Sequence, residues 1–172
     1  MFGMLVMLDL SIDFDRVEAT KPLHLSVQAD AEARQALADR FEWVGISHLD
    51  GKLVLTRLSN EACHMTGRIK ADIVMTCVIS DAEVKQSLDI KVNERFAVMD
   101  GDDDETVIDP MSVQTEPMIN RSIPVGETVA QLILLEAPDW PRADDIPPVD
   151  IVVKPENDLG PFGKLADLKK TR

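Results

Sequence analysis

From Met65 onward every second residue is small or apolar: Gly67, Ile69, Ala71, Ile73, Met75, Cys77 and Ile79. Thr66, Arg68, Lys70, Asp72 and Thr76 occupy the positions between. A period of two predicts a strand with one face in the core and one in water. Ser80 to Ala82 breaks the pattern. A second alternating run follows, with Val84, Leu88, Ile90, Val92, Phe96 and Val98 set against Lys85, Ser87, Asp89, Lys91, Asn93 and Arg95. The two runs predict a long antiparallel hairpin. Its wet face carries Arg68, Lys70, Lys85, Lys91 and Arg95, with Asp72 and Asp89 interleaved.

The rest of the chain is organised around this hairpin. Leu23, Leu25 and Val27 alternate with His24 and Ser26, which predicts an extended segment. Asp30 suits a helix N-cap, and Ala33, Leu37 and Phe41 recur at helical spacing, predicting a helix over 31–41. Asp50-Gly51 between 46–49 and 52–58 predicts a tight hairpin turn. In 52–58 the apolar residues fall at both parities, so their spacing leaves the buried face open. Pro124 suits a helix start, and Val125, Val129, Leu132 and Ile133 form one stripe, predicting a helix near 125–135 that packs on the sheet. Pro138 and Pro141 stop it. The expected fold is therefore α+β: a curved antiparallel sheet, barrel-like, with two main helices, an acidic loop and an extended C-terminal tail. The expected organisation is an N-terminal segment over 1–22, an α+β core over 23–138, and an irregular acidic linker and tail over 139–172.

Composition narrows the classes. The chain has 172 residues, of which 45% are hydrophobic. Such a chain can bury a sizeable core without disulfides, and wholesale disorder is excluded. The start, Met1 to Leu10, is apolar but has no basic residue before it, unlike a secretory signal, and no stretch suits a transit peptide or a membrane span. These features predict a cytoplasmic protein with Cys63 and Cys77 as thiols. The 18 Lys and Arg against 31 Asp and Glu give a net charge of −13. Much of the acidity is concentrated in Asp100, Asp102, Asp103, Asp104, Glu105 and Asp109, and in 139–158. Bulk attraction to nucleic acid is excluded, because phosphate binding depends on Lys and Arg displacing counterions. A contact with RNA must use a local basic face, and a basic protein is the easier electrostatic partner.

Candidate chemistry is sparse. No glycine-rich phosphate loop or dinucleotide fingerprint occurs. Cys63, His64 and Cys77 offer metal-ligand types, but position 80 is Ser80, so no Cys-x-x-Cys pair forms, and adjacent strand residues face opposite ways. The acidic cluster lacks the spacing of a Ca²⁺ loop and reads as a solvated charge run. No catalytic residue, cofactor, metal ligand or small-molecule substrate is expected. The candidate contacts are Arg68, Lys70, Lys91 and Arg95 on the strand face, Trp140 and Arg142 after the second helix, and Phe162, Leu165 and Leu168 in the tail. Trp140 reads either as a cap on the core or as an interface anchor. The tail apolar residues suit docking in cis or in the groove of a partner.

The order of these pieces resembles a known family. Gly67-Arg68-Ile69-Lys70-Ala71, followed by Thr76-Cys77-Val78-Ile79-Ser80-Asp81-Ala82-Glu83-Val84, resembles the YceD family of large ribosomal RNA subunit accumulation proteins. One bacterial branch reads close to Cys-Val-Val-Thr-Leu-Glu-Pro-Val there. Ile123-Pro124-Val125-Gly126-Glu127 through Pro138-Asp139-Trp140-Pro141-Arg142 is similar to that branch's Ile-Asp-Leu-Gly-Glu helix and Asp-Pro-Tyr-Pro-Arg. Pro161-Phe162-Gly163-Lys164-Leu165-Ala166-Asp167-Leu168-Lys169 is similar to its Asn-Pro-Phe-x-x-Leu-x-x-Leu-Lys ending. Ser80 stands where other members have the second Cys of Cys-x-x-Cys, Pro124 replaces an acidic residue, and Gly160 replaces Asn. The resemblance implies a non-enzymatic role in ribosome biogenesis, supporting accumulation of 23S rRNA. The implied partners are large-subunit precursor rRNA, a basic ribosomal protein or an assembly factor. The alternatives are a metal-dependent RNA-processing enzyme and a general protein-interaction adaptor.

Overall fold

The computed structural model describes residues 10–98 and 115–144. Nine elements organise them: β1 (Ile12–Asp13), β2 (Leu23–Gln28), α1 (Ala31–Arg40), β3 (Gly45–Arg57), β4 (Ala62–Thr76), β5 (Glu83–Val98), β6 (Thr115–Met118), β7 (Ser122–Ile123) and α2 (Val125–Glu136). The main sheet has five strands in the order β2-β3-β4-β5-β6, and β1 pairs with β7 in a small second sheet. The fold is α+β, as the periodicities predict.

The hairpin forms as its alternation requires. β4 and β5 are antiparallel in unbroken register from Ala62↔Ala97 to Thr76↔Glu83. Met65, Ile69, Ala71 and Ile73 of β4 are buried, with Leu88, Ile90, Val92 and Phe96 of β5. The predicted sheet needs two corrections. It is mixed, because β6 runs parallel to β5, with Arg95↔Thr115 and Val98↔Met118 in register. It is also not closed: β2 and β6 are its two end strands, so the barrel-like expectation is replaced by an open sheet.

The predicted turn at Asp50-Gly51 is also corrected. β3 runs straight through both residues. Asp50 pairs with Gln28 on one side and Lys70 on the other, and Gly51 with Val27 and Ile69. Two complete ladders outweigh one local turn preference. The buried face of β3 also becomes clear. A register shift between Ile46 and His48 changes the parity, so Ile46 and then Leu49, Leu53 and Leu55 all point into the core. Such a bulge lets two apolar runs of opposite phase share one face.

Both helices pack on the apolar face. Asp30 caps α1 by accepting from the Ala33 N–H at 2.8 Å, and Ala33, Leu37 and Ala38 are buried. α2 has no side-chain cap. The N–H of Gly126 instead donates to the carbonyl of Leu10 at 2.8 Å, which satisfies one of the free donors of a helix start. Val125, Val129 and Ile133 are buried, while Leu132 is half-buried. Arg40 and Glu127 join the helices through two bonds of 2.7 Å. The stretch before β2 belongs to the same core. Leu10, Ile12, Phe14 and Val17 are buried in it, and the guanidinium groups of Arg57 and Arg121 lie 4.4 and 4.8 Å from the Phe14 ring centre.

Gly67 is fixed by a close approach of β3. Its φ is +153°, and a Cβ there would sit 2.1 Å from the Lys52 carbonyl oxygen and 2.9 Å from the Leu53 Cα. Both atoms are backbone and cannot move aside. Gly67→Ala is expected to lower stability by about 2–4 kcal/mol, seen in thermal denaturation as a fall in Tm on the order of 10 °C. Gly45, where an added Cβ meets nothing within 4 Å, provides the control. Gly45→Ala should stay within about 0.5 kcal/mol of the parent. Equal melting of the two variants would contradict the close approach.

Candidate nucleic-acid interface

The face opposite the helices collects the polar positions of β2 to β5. Its central lateral row is Ser26↔Lys52↔Arg68↔Lys91. Neighbouring strands lie about 4.8 Å apart, so these three cations fall within roughly 10 Å. The row on one side alternates in charge, Gln28↔Asp50↔Lys70↔Asp89. The row on the other side is neutral, His24↔Val54↔Thr66↔Asn93, and beyond it Thr56↔His64↔Arg95. Lys52, Arg68, Lys70, Lys91 and Arg95 are all exposed. The described part of α1 and α2 buries against the other side.

Ion pairing uses only part of this charge. Arg68 reaches Asp89 at 3.1 Å, but both groups are at least half exposed, and such pairs contribute little. His48 meets Asp50 at 2.6 Å, and Ser87 donates to Asp72 at 2.6 Å. Among the described residues no ion pair engages Lys52, Lys70, Lys91 or Arg95. Like charges directly opposite one another on adjacent strands destabilise a sheet. The Lys52–Arg68–Lys91 row therefore sets like charges side by side, with Arg68 alone, among the described residues, relieved by a carboxylate, that of Asp89. A shallow depression of about 400 Å³ opens beside the row, lined by His48, Asp50, Lys52, Arg68 and Lys70.

The sequence places Arg68, Lys70, Lys85, Lys91 and Arg95 on one side, and the register puts them there. Lys52, His48 and Asp50 are not among the sequence-predicted contacts, because a turn at Asp50-Gly51 takes Asp50 out of the strand and folds 46–49 back on 52–58 instead of lining the three up on one continuous strand. The alternation of His48, Asp50, Lys52 against Leu49, Leu53 and Leu55 is the signal that could have found them. Trp140 does not cap the core: the residue is 75% exposed. Pro141 is buried instead, and its carbonyl accepts from the Val78 N–H at 3.0 Å. Arg142 is exposed beside it. These two lie near the β4–β5 turn, away from the cation row. Phe162, Leu165, Leu168 and the acidic stretch 100–109 lie outside the described residues.

The groups with metal-ligand chemistry do not converge. Cys63 and Cys77 lie at opposite ends of β4, and His64 points to the polar face, where it meets the Asn93 Oδ1 at 2.8 Å. Among the described residues no group of three His, Cys, Asp or Glu could hold a metal ion. No described helix is long and apolar enough to cross a membrane. Burial pushes the Cys63 thiol up to about 11. On β5, burial first and the neighbouring Glu116 second raise the Glu94 carboxyl above its ordinary range.

Comparison with known proteins finds no matching family model, no matching curated protein and no matching solved structure. The fold and face define an α+β protein with an open mixed sheet, helices on one side and a basic strip on the other.

Cys77, just after β4, is held differently from Cys63. The Ser80 hydroxyl, chiefly, and then the N–H groups of Ile79, Ala143 and Ser80 bring its thiol down from 9.0 to about 7. In the unfolded chain the thiol keeps its proton up to about 8.5. The folded chain thus binds fewer protons between these values, and stability must rise with pH there. Urea denaturation of the parent should show a gain from pH 7 to pH 9 that Cys77→Ala lacks and Ser80→Ala reduces. Parallel pH curves for the three proteins would contradict this arrangement.

Proposed function

We propose that this protein is a non-enzymatic large-subunit assembly factor of the YceD kind. It acts in the cytoplasm by holding precursor rRNA through the polar face of its sheet, and so supports accumulation of 23S rRNA. The order of motifs from Gly67 to Lys169 supports the family. The observation that carries the mode of action is the row of Lys52, Arg68 and Lys91, three cations in lateral register on an exposed face. In a chain of net charge −13, stacking cations against their mutual repulsion makes physical sense when a polyanion is to be held.

The face is suited to gripping rather than to chemistry. Cleavage of RNA requires a positioned base or metal-bound water, and efficient acid–base groups sit in surroundings that tune them. Three described carboxylates of this face, Asp50, Asp72 and Asp89, are each engaged by His48, Ser87 or Arg68, and the fourth, Glu83, stands apart at the β4–β5 turn. The three therefore orient neighbours instead of converging on a reaction centre. Binding energy would come from phosphate contacts, which position an RNA without reading its sequence.

Sucrose-gradient sedimentation of cell extract tests the proposal. The full-length protein should travel with precursor large subunits, and its depletion should lower 23S rRNA. The double variant Lys52→Glu, Lys91→Glu should shift it to the top of the gradient while its thermal melting stays within about 1 kcal/mol of the parent, as surface changes usually do. Absence of the parent from every ribosomal fraction would overturn the proposal. So would Mg²⁺-dependent RNA cleavage by the purified protein.

A further inference from the structure

The spacing of charge on this face points to a particular form of RNA. Arg95 lies four residues beyond Lys91 on β5, about 14 Å along the strand. Between them runs the neutral row that contains Thr66 and Asn93. The Asn93 amide oxygen is taken by His64 at 2.8 Å, which leaves its NH₂ free to donate outward. The Thr66 hydroxyl stands beside it in register. A strip of neutral hydrogen-bonding groups is thus bounded by cations on both sides.

That order matches the minor groove of an A-form helix. In double-stranded RNA this groove is wide and shallow, presents 2′-hydroxyls, and is bounded by the phosphates of two strands. The major groove is too deep and narrow for side chains to read. We propose that the polar face of β3–β5 holds double-helical RNA across its minor groove, with Lys52, Arg68 and Lys91 on one phosphate backbone, Arg95 on the other, and Thr66 and Asn93 on the 2′-hydroxyls between them. The inference rests on the assembly-factor reading and names the form of RNA that it would hold.

The aromatic residues argue the same way. Proteins that grip single strands without sequence preference stack bases on aromatic rings. The chain has no Tyr, and Phe14 and Phe96 are fully buried. Phe41 and Trp43 pack on each other, ring centres 4.9 Å apart, against the core beyond α1. No described Phe or Trp ring occupies a polar-face position of the main sheet; the rings there are the small imidazoles of His24, His48 and His64. A single strand would therefore find charge and small imidazoles here but none of the large rings that form a stacking platform, whereas a duplex keeps its own bases stacked and needs only charge and hydroxyl partners.

Fluorescence anisotropy with the full-length protein tests this. The probes are a 16-base-pair RNA duplex, a DNA duplex of the same sequence and one RNA strand alone, each at several salt concentrations. The RNA duplex should bind at least tenfold more tightly than either other probe. Its log K should fall with log salt with a slope of about −3 to −4, as expected for contacts to about four phosphates. Lys52→Ala with Lys91→Ala should flatten that slope by about two, since each lost phosphate contact removes about one. Thr66→Val should narrow the gap between RNA and DNA duplexes while leaving the salt slope unchanged. Circular dichroism of each variant confirms its folding.

Equal binding of the single strand, or of the DNA duplex, would overturn the inference and leave the assembly role standing. Failure to bind any RNA, in a protein that still sediments with precursor subunits, would also overturn it and would assign the contact to a ribosomal protein. Loss of sedimentation with the subunits is the separate result that ends the assembly reading.

Discussion

The carbonyl of Lys52 lies against the Cα of Gly67, in space that any side chain at position 67 would fill. This contact fixes the register of β3 on β4, and a strand register has no intermediate values. A shift by one residue would turn Leu49, Leu53 and Leu55 to water and Asp50 and Lys52 to the core. The same backbone approach therefore decides what the protein buries and what it displays. β4, in the centre of the sheet, transmits that choice to β5 through an uninterrupted ladder.

What is displayed follows from what is buried. The apolar face is covered by α1 and α2 and by the Leu10–Val17 stretch, which is tied to α2 by the Leu10 carbonyl and to the body by the Arg57–Phe14–Arg121 stack. With one face so occupied, the other is left to carry charge. Alternating signs along Asp50, Lys70 and Asp89 follow the ordinary rule that opposite charges across strands help a sheet. The adjoining row breaks that rule with three cations. The departure sits beside a depression and a neutral strip, and an anionic partner would turn its cost into binding energy.

Much of this was legible in the sequence, for a clear reason. Where one face is buried and the other wet, as in β4 and β5, a period of two marks the strand, its length and its exposed residues. Asp30 announced α1, and the Val125 stripe announced α2. The failures came where a local signal competed with a long-range one. Asp50-Gly51 has the chemistry of a turn, but β3 has partners on both sides, and Gly51 serves a close approach to Ile69 instead. The bulge at Ser47 disguised the phase of β3. β6 pairs parallel to β5 through only four residues, and alternation within so short a run does not encode the direction of pairing. Trp140 looked like a core residue by type, yet the neighbouring Pro141 takes the buried place. The cation row itself needed three strands aligned before it could be seen, and two of its three members came from the predicted hairpin.

Cross-strand nuclear Overhauser effects in the isotopically labelled full-length protein test the central claim most directly. A continuous β3 in the described register predicts backbone contacts between Lys52 and Arg68, between Arg68 and Lys91, and between Ser26 and Lys52. Contacts of Leu49 with Lys52 across a turn at Asp50-Gly51, with none from Lys52 to Arg68, would contradict the register and with it both the core and the cation row.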